Sequence, residues 1–172
     1  MPRKKYNKLE EPLEDMSELS GQLAWADYEH ADKFAYLCEF RGDRKKERLI
    51  IEKQVKEKMK ISCVYIMVID EKIFKIGAAL RGMAGRIGSY NSGKTKYRVR
   101  GTNSALNYWC LQSFINLNEA VEVYAFFPET KQCSVFGESV YEPFPSAKTI
   151  EGVIISQFEE KYKMKPLGCT QS

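Results

Sequence analysis

A chain of 172 residues, 44% apolar and 29% charged, is long enough to bury one sizeable core and too apolar for wholesale disorder. No run of 18 apolar residues occurs, and the charged start Met1-Pro2-Arg3-Lys4-Lys5 leads into no apolar stretch, so neither a membrane span nor a signal peptide is expected and the chain reads as cytoplasmic. Net charge is only +4, but residues 1–60 hold 14 Lys/Arg against 13 Asp/Glu, whereas Lys72 to Asn118 holds eight cations and no acid, a one-signed field suited to a polyanion.

In chain order, residues 1–60 read as a highly charged helical extension. Leu23, Trp25, Tyr28, Phe34, Tyr36, Leu37 and Phe40 suggest amphipathic pieces closed near Arg41-Gly42-Asp43. Arg44–Lys60 reads as a further helix with a thin stripe of Leu49, Ile50, Val55 and Met59. This part is expected to be an appendage, either a DNA-wrapping arm or a dimer contact. A domain begins at residue 61 and runs to residue 172. Its Cys63–Ile69 run is rich in β-branched residues, Asp70-Glu71-Lys72 is a turn and Ile73–Ile76 returns, which predicts a β-hairpin. Gly82–Tyr90 is a short helix stopped by Asn91-Ser92-Gly93. Lys94–Arg100 is extended, with Lys94, Lys96, Arg98 and Arg100 on one strand face and therefore candidates for phosphate contact. Thr102-Asn103-Ser104 caps a helix over Ala105–Ile115, with Asn103 a further candidate DNA contact. Val121–Phe127 is a third core strand, a looser hairpin-like region runs to Phe144, and Ser146 caps a long helix through Lys163. The predicted class is α+β, with a small, mainly antiparallel sheet flanked by helices.

Five widely spaced cysteines without a Cys-x-x-Cys pair, and a single histidine, His30, support neither a zinc site nor a disulfide framework nor a histidine-based triad. Reduced, mostly buried thiols are expected.

Glu151 is the most informative residue of the last helix. Ile150, Val153, Ile154, Ile155, Phe158 and Tyr162 span one broad arc, and Glu151 falls between Phe158 and Tyr162. A carboxylate on an apolar face needs a metal, a cation or a donor. Arg86 and Tyr90, four apart, share a face of the short helix among Gly82, Gly85 and Gly88, each costing about 1 kcal/mol of helix stability relative to Ala. Such small residues suit either tight helix–sheet packing or the close approach of another backbone, such as a phosphodiester. Tyr65 lies in an apolar strand with Lys75 on the hairpin partner. A three-residue turn would pair Met67 with Lys75 and set Tyr65 and Lys75 on one face, where a cation beside a phenol makes a base without histidine; plain core packing of Tyr65 is the alternative.

Together these residues resemble the GIY-YIG nuclease family. Cys63-Val64-Tyr65 stands for its first motif and Lys75-Ile76-Gly77 for its second, followed by a helix with an Arg in Gly85-Arg86-Ile87-Gly88-Ser89-Tyr90 and a later helix with Glu151. Lys75 replaces the second Tyr, Cys63 the leading Gly, and the family's late Asn has no match in Pro166–Thr170. The resemblance implies a metal-dependent DNA endonuclease with catalytic Tyr65, Lys75, Arg86, Tyr90 and Glu151. Glu151 holds one Mg²⁺, for which Mn²⁺ substitutes. Phe74-Lys75-Ile76-Gly77, Ser89-Tyr90-Asn91, Val123–Glu129 and Gly168–Gln171 are similar to the type II restriction branch of that family that reads TCNGA. That branch implies a homodimer on double-stranded DNA and a cognate DNA methyltransferase in the same system. A structure-selective or homing nuclease, or a catalytically silent DNA-binding module, are the alternative readings.

Overall fold

Continuous runs of β-branched and aromatic residues form strands buried on both faces, and Cys63–Ile69 is buried at every position. It is the heart of the fold, seen in a computed structural model that describes residues 11–95 and 102–169, with the side chains of 102–105 outside the description. Five strands, β1 (Ala35–Asp43), β2 (Arg48–Gln54), β3 (Cys63–Ile69), β4 (Lys72–Ala79) and β5 (Val121–Phe126), form one sheet in the order β2-β1-β5-β3-β4. Every pairing in it is antiparallel. A separate hairpin pairs β6 (Thr130–Val135) with β7 (Glu138–Pro143), where the sequence predicts a hairpin-like region. Three helices, α1 (Met83–Asn91), α2 (Thr102–Leu117) and α3 (Ala147–Tyr162), complete the expected α+β class.

The sheet is covered on both faces. On one, Tyr65, Met67 and Phe74 pack with Met83, Ile87 and Tyr90 of α1 and with Trp109, Leu111 and Phe114 of α2. On the other, Val64, Ile66 and Ile76 meet Phe158 of α3 and the aromatic residues Tyr28 and Phe34. Each fully buried large apolar side chain contributes about 1.5–3 kcal/mol. Val153, expected on the apolar arc of α3, is instead 52% exposed, so the arc packed against the sheet comprises the buried Ala147 and Phe158 with the partly buried Ile150, Ile154, Ile155 and Tyr162.

The helical reading of the first 60 residues is corrected. Among the described residues before 61 there are only short 3₁₀ turns and the strands β1 and β2, and β1 pairs directly with β5, so this segment shares the central sheet with the rest of the chain. Charge density suggested a helix, but the β-branched pair Ile50-Ile51 favours a strand, and Glu52, Lys53 and Gln54 are the polar, exposed residues that an edge strand carries. Gly42, read as a helix stop, lies inside β1, where a Cβ would come within 2.7 Å of the Ile115 backbone of α2. All five cysteines are free, four of them buried, as the sequence suggests. Among the described residues no helix is long and apolar enough to cross a membrane.

Candidate active site

The β3–β4 hairpin positions the first two candidate residues through a bulge. Asp70 and Glu71 both adopt positive φ, 46° and 64°, which makes a two-residue turn of the kind matched to strand twist. With that turn alone, uninterrupted pairing would set Lys75 opposite Ile66, on the face away from Tyr65. The register shifts instead: Val68 pairs with Ile73 but Met67 with Lys75, leaving Phe74 as an extra residue. The Met67–Lys75 pairing is the expected one, reached by a different device. The bulge sends Phe74 into the α2 face, stacked on Trp109 at 5.7 Å, and turns Lys75 onto the Tyr65 face.

Tyr65 and Tyr90 are both fully buried, with their hydroxyls 2.8 Å apart. Arg86 donates from Nε to the Tyr65 hydroxyl at 3.2 Å and lies over the Tyr90 ring at 5.1 Å. Burial drives the Tyr90 pKa well above the ordinary phenol value, and the neighbouring Tyr65 oxygen adds to this. Tyr90 therefore keeps its proton, and its hydroxyl shares a hydrogen bond with that of Tyr65. Burial acts to lower the Arg86 pKa, but the two phenolic oxygens outweigh it and hold the guanidinium charged. Gly77, opposite Tyr65, is required by contact, because a Cβ there would run into the Tyr65 hydroxyl.

Lys75 is only 6% exposed. Burial favours its neutral amine, yet the oxygen of Tyr65 and the thiols of Cys110 and Cys169 outweigh that, so its pKa is raised and the ammonium persists. Its Nζ donates to the carbonyl oxygen of Gly168 at 2.6 Å. The expected pairing of Lys75 with Tyr65 is therefore electrostatic, and the cation hydrogen-bonded to Tyr65 is Arg86. Gly168 belongs to a short turn, Leu167–Cys169, fastened to β4 by Cys169, whose Sγ accepts from the Ile76 amide at 3.3 Å and donates to the Ile76 carbonyl at 3.2 Å.

Glu151 sits in the second turn of α3, whose N-cap Ser146 accepts from the Thr149 amide as predicted. Its side chain is 15% exposed, and its carboxylate is paired with Lys148 at 3.0 Å. A cavity of about 630 Å³ brings these elements together, lined among others by Lys75, Arg81, Arg86, Lys148, Glu151 and Gly168. Tyr65 lies one layer behind its wall, touching the lining residues Gly77 and Arg86. Gly82, at φ 87°, and Gly85 form part of the wall; Gly82 is needed because a Cβ would strike the backbone of Met59 and Lys60, while a Cβ on Gly85 would meet Arg81 Cβ at 3.9 Å, an ordinary contact.

Among the described residues lining the cavity, Glu151 is the one acid, and no group of three or more His, Cys, Asp and Glu side chains gathers anywhere in them. A single, largely buried carboxylate at the cavity wall fits Mg²⁺, which keeps waters and takes other oxygens from a substrate phosphate, and does not fit a closed transition-metal site. The structure thus brings Lys75, Arg86 and Glu151 to one cavity with Tyr65 and Tyr90 behind it. Of the candidate DNA contacts, Lys94 follows α1 and is half-buried, beside Thr95, whose amide and hydroxyl both donate to Glu47 at 2.6 Å. Lys96, Arg98 and Arg100 lie outside the described residues, as does the side chain of Asn103. Sequence reasoning missed Lys148 and Gly168. Lys148 carried a readable signal, a cation three residues before the one carboxylate of interest; Gly168 did not, since its role depends on a contact 93 residues away in sequence.

No family model matches the chain, and no curated protein matches it. Among solved structures, the chain is similar to a mutant of bacteriophage T4 EndoII at 15% identity over 76% of this chain and 92% of that one, with a TM-score of 0.54, a likeness of fold alone. It is also similar to the restriction endonuclease HPY188I, solved in complex with product DNA, at 38% identity and a TM-score of 0.75. Because that similarity extends over 97% of both chains, the chain belongs to the restriction endonuclease family of HPY188I.

Proposed function

We propose that this chain is a type II restriction endonuclease of the GIY-YIG kind, cutting both strands of a short palindromic DNA site, such as TCNGA, by Mg²⁺-dependent phosphodiester hydrolysis. The observation that carries the reading is one cavity lined by the buried cation Lys75, by Arg86 and by the single carboxylate Glu151. The similarity to a restriction endonuclease bound to product DNA supports it.

Glu151 would hold the metal ion, which when bound would supply Lewis-acid stabilisation at the scissile phosphate. Lys75, fixed by Gly168, neutralises phosphate charge as a pre-oriented ammonium. Arg86, which lines the cavity, would stabilise charge on the phosphoryl oxygens while its Nε stays on Tyr65. Having first released its own proton to solvent, Tyr65 would act as the phenolate that takes the proton of the attacking water, its oxygen held by Arg86 and Tyr90. One such site cuts one strand, so a palindrome is cut by a homodimer. The host is protected by a methyltransferase acting on the same site.

The test is to incubate plasmid DNA with the protein and Mg²⁺ and to sequence the ends. Discrete ends at one recurring sequence are expected. Scattered nicks would indicate a structure-selective nuclease, and intact DNA under binding conditions a silent module; either result overturns the reading.

A further inference from the structure

Lys148 is poorly explained as a helix-stabilising residue. It lies in the first turn of α3, where the helix dipole favours anions, and this turn contains no acid. Its partner Glu151 follows it in sequence, the weaker orientation for a helical ion pair. Yet Lys148 contacts the one acidic residue of the cavity and lines the cavity itself. Among the described residues it is the one partner of that carboxylate. The Lys148 side chain is 71% exposed while Glu151 is 15% exposed, so the lysine can leave at little cost and the carboxylate cannot.

We propose that Lys148 is a displaceable counter-ion: it holds the Glu151 carboxylate toward the cavity when no divalent cation is bound, yields it when one arrives, and moves to a DNA phosphate. The proposal rests on the reading of Glu151 as the metal carboxylate. It makes Lys148 a positioning residue for Glu151 and a phosphate contact in the complex. It also gives the site an order, since a cation competes with Lys148 more successfully once a phosphate is present to receive the lysine.

The test uses the full chain and Mn²⁺ alone, without DNA, with free Mn²⁺ followed by its paramagnetic resonance signal. Exposed ion pairs are weak, so Lys148→Met is expected to bind Mn²⁺ roughly two- to five-fold more tightly than the wild type. Lys148→Arg restores wild-type affinity, and Glu151→Gln loses the site. On DNA without metal, where Lys148 stays on Glu151, Lys148→Met is expected to leave the slope of log affinity against log salt unchanged. If Lys148→Met bound Mn²⁺ as the wild type does while Glu151→Gln lost it, the counter-ion role would be overturned and the Glu151 reading would stand. If Lys148→Arg behaved like Lys148→Met, the charge would not be the cause and the proposal would likewise fail. If Glu151→Gln bound Mn²⁺ undiminished, the metal reading itself would fall, and this inference with it.

Discussion

Two buried phenols meet one guanidinium at the cavity wall, and the three are joined through the Tyr65 oxygen. Tyr90 keeps its proton because burial pushes its pKa far up, and Arg86 keeps its charge because two phenolic oxygens face it. Arg86 donates to the Tyr65 oxygen and Tyr90 shares a hydrogen bond with it, an arrangement that suits a proton acceptor. Tyr65→Phe removes only that oxygen from a well-packed ring. It is expected to keep the fold, with a stability change of about 1 kcal/mol, and to cost on the order of 10²-fold or more in single-turnover cleavage. Tyr90→Phe should slow cleavage too, and the double variant should be little worse than Tyr65→Phe, since groups serving one step are not additive. Additive losses, or an active Tyr65→Phe, would reduce both tyrosines to core packing. Glu151→Gln should abolish cleavage while DNA binding in metal-free buffer persists; near wild-type cutting with Mg²⁺ would remove Glu151 from the metal. The sequence singled out all five side chains, yet paired Tyr65 with Lys75. Hairpin register decides which face a residue occupies; which donor reaches an oxygen is decided by helices packed from elsewhere, here Arg86 on α1.

Each element contributes a constraint that the sequence shows unevenly. The edges of β3 and α3 and the start of β4 are legible because a β-branched run, an acidic turn and a serine N-cap are local signals. The strands β1 and β2 were not, because their charged residues repeat at spacings a helix would also use, and because Leu37 and Cys38 are both buried across a register shift that breaks strand alternation. Nor was the Leu167–Cys169 turn, which contains no site-forming motif and acts only through β4. Gly168 accepts from Lys75, and a Cβ on it would lie 2.7 Å from the Lys75 Cβ. Gly168→Ala should therefore push the lysine stem aside rather than fill space, costing about 1–3 kcal/mol as an overpacked core position. The expected result is a melting temperature lower by several degrees and, at temperatures where the variant is folded, weakened DNA cleavage. A variant with wild-type cleavage would mean that Lys75 needs no carbonyl to orient it.

At the scale of the whole molecule, charge is divided between the two ends of β4. Beyond Ala79, Arg81, Arg86 and Lys148 join Lys75 around the candidate catalytic cavity. At the other end, the turn residues Asp70 and Glu71 join Glu119 and Glu122 around a second cavity of about 480 Å³ that has no cation in its lining. The β6–β7 hairpin is also acidic, with Glu138 and Glu142 against Lys131. A polyanion approaching such a molecule is attracted to one end and repelled from the other, so under the proposed function the field would orient DNA on the candidate cavity before any base is read. Each lysine or arginine that meets a phosphate releases a counter-ion, which makes the salt dependence of affinity a count of contacts. Replacing Arg81, Lys94, Lys96, Arg98 or Arg100 singly by alanine should weaken binding to every sequence alike and lower the magnitude of the log–log salt slope by about 1 each. Lys131→Ala is the internal control: its ammonium lies 4.6 Å from the Phe144 ring on the acidic hairpin, so its loss should leave the slope unchanged. Equal slopes for Arg81→Ala and Lys131→Ala would show that the charge division does not direct DNA. Unchanged slopes for the four residues from Lys94 to Arg100, alongside a reduced one for Arg81→Ala, would instead make that basic run a solvated edge of the kind lysines commonly protect.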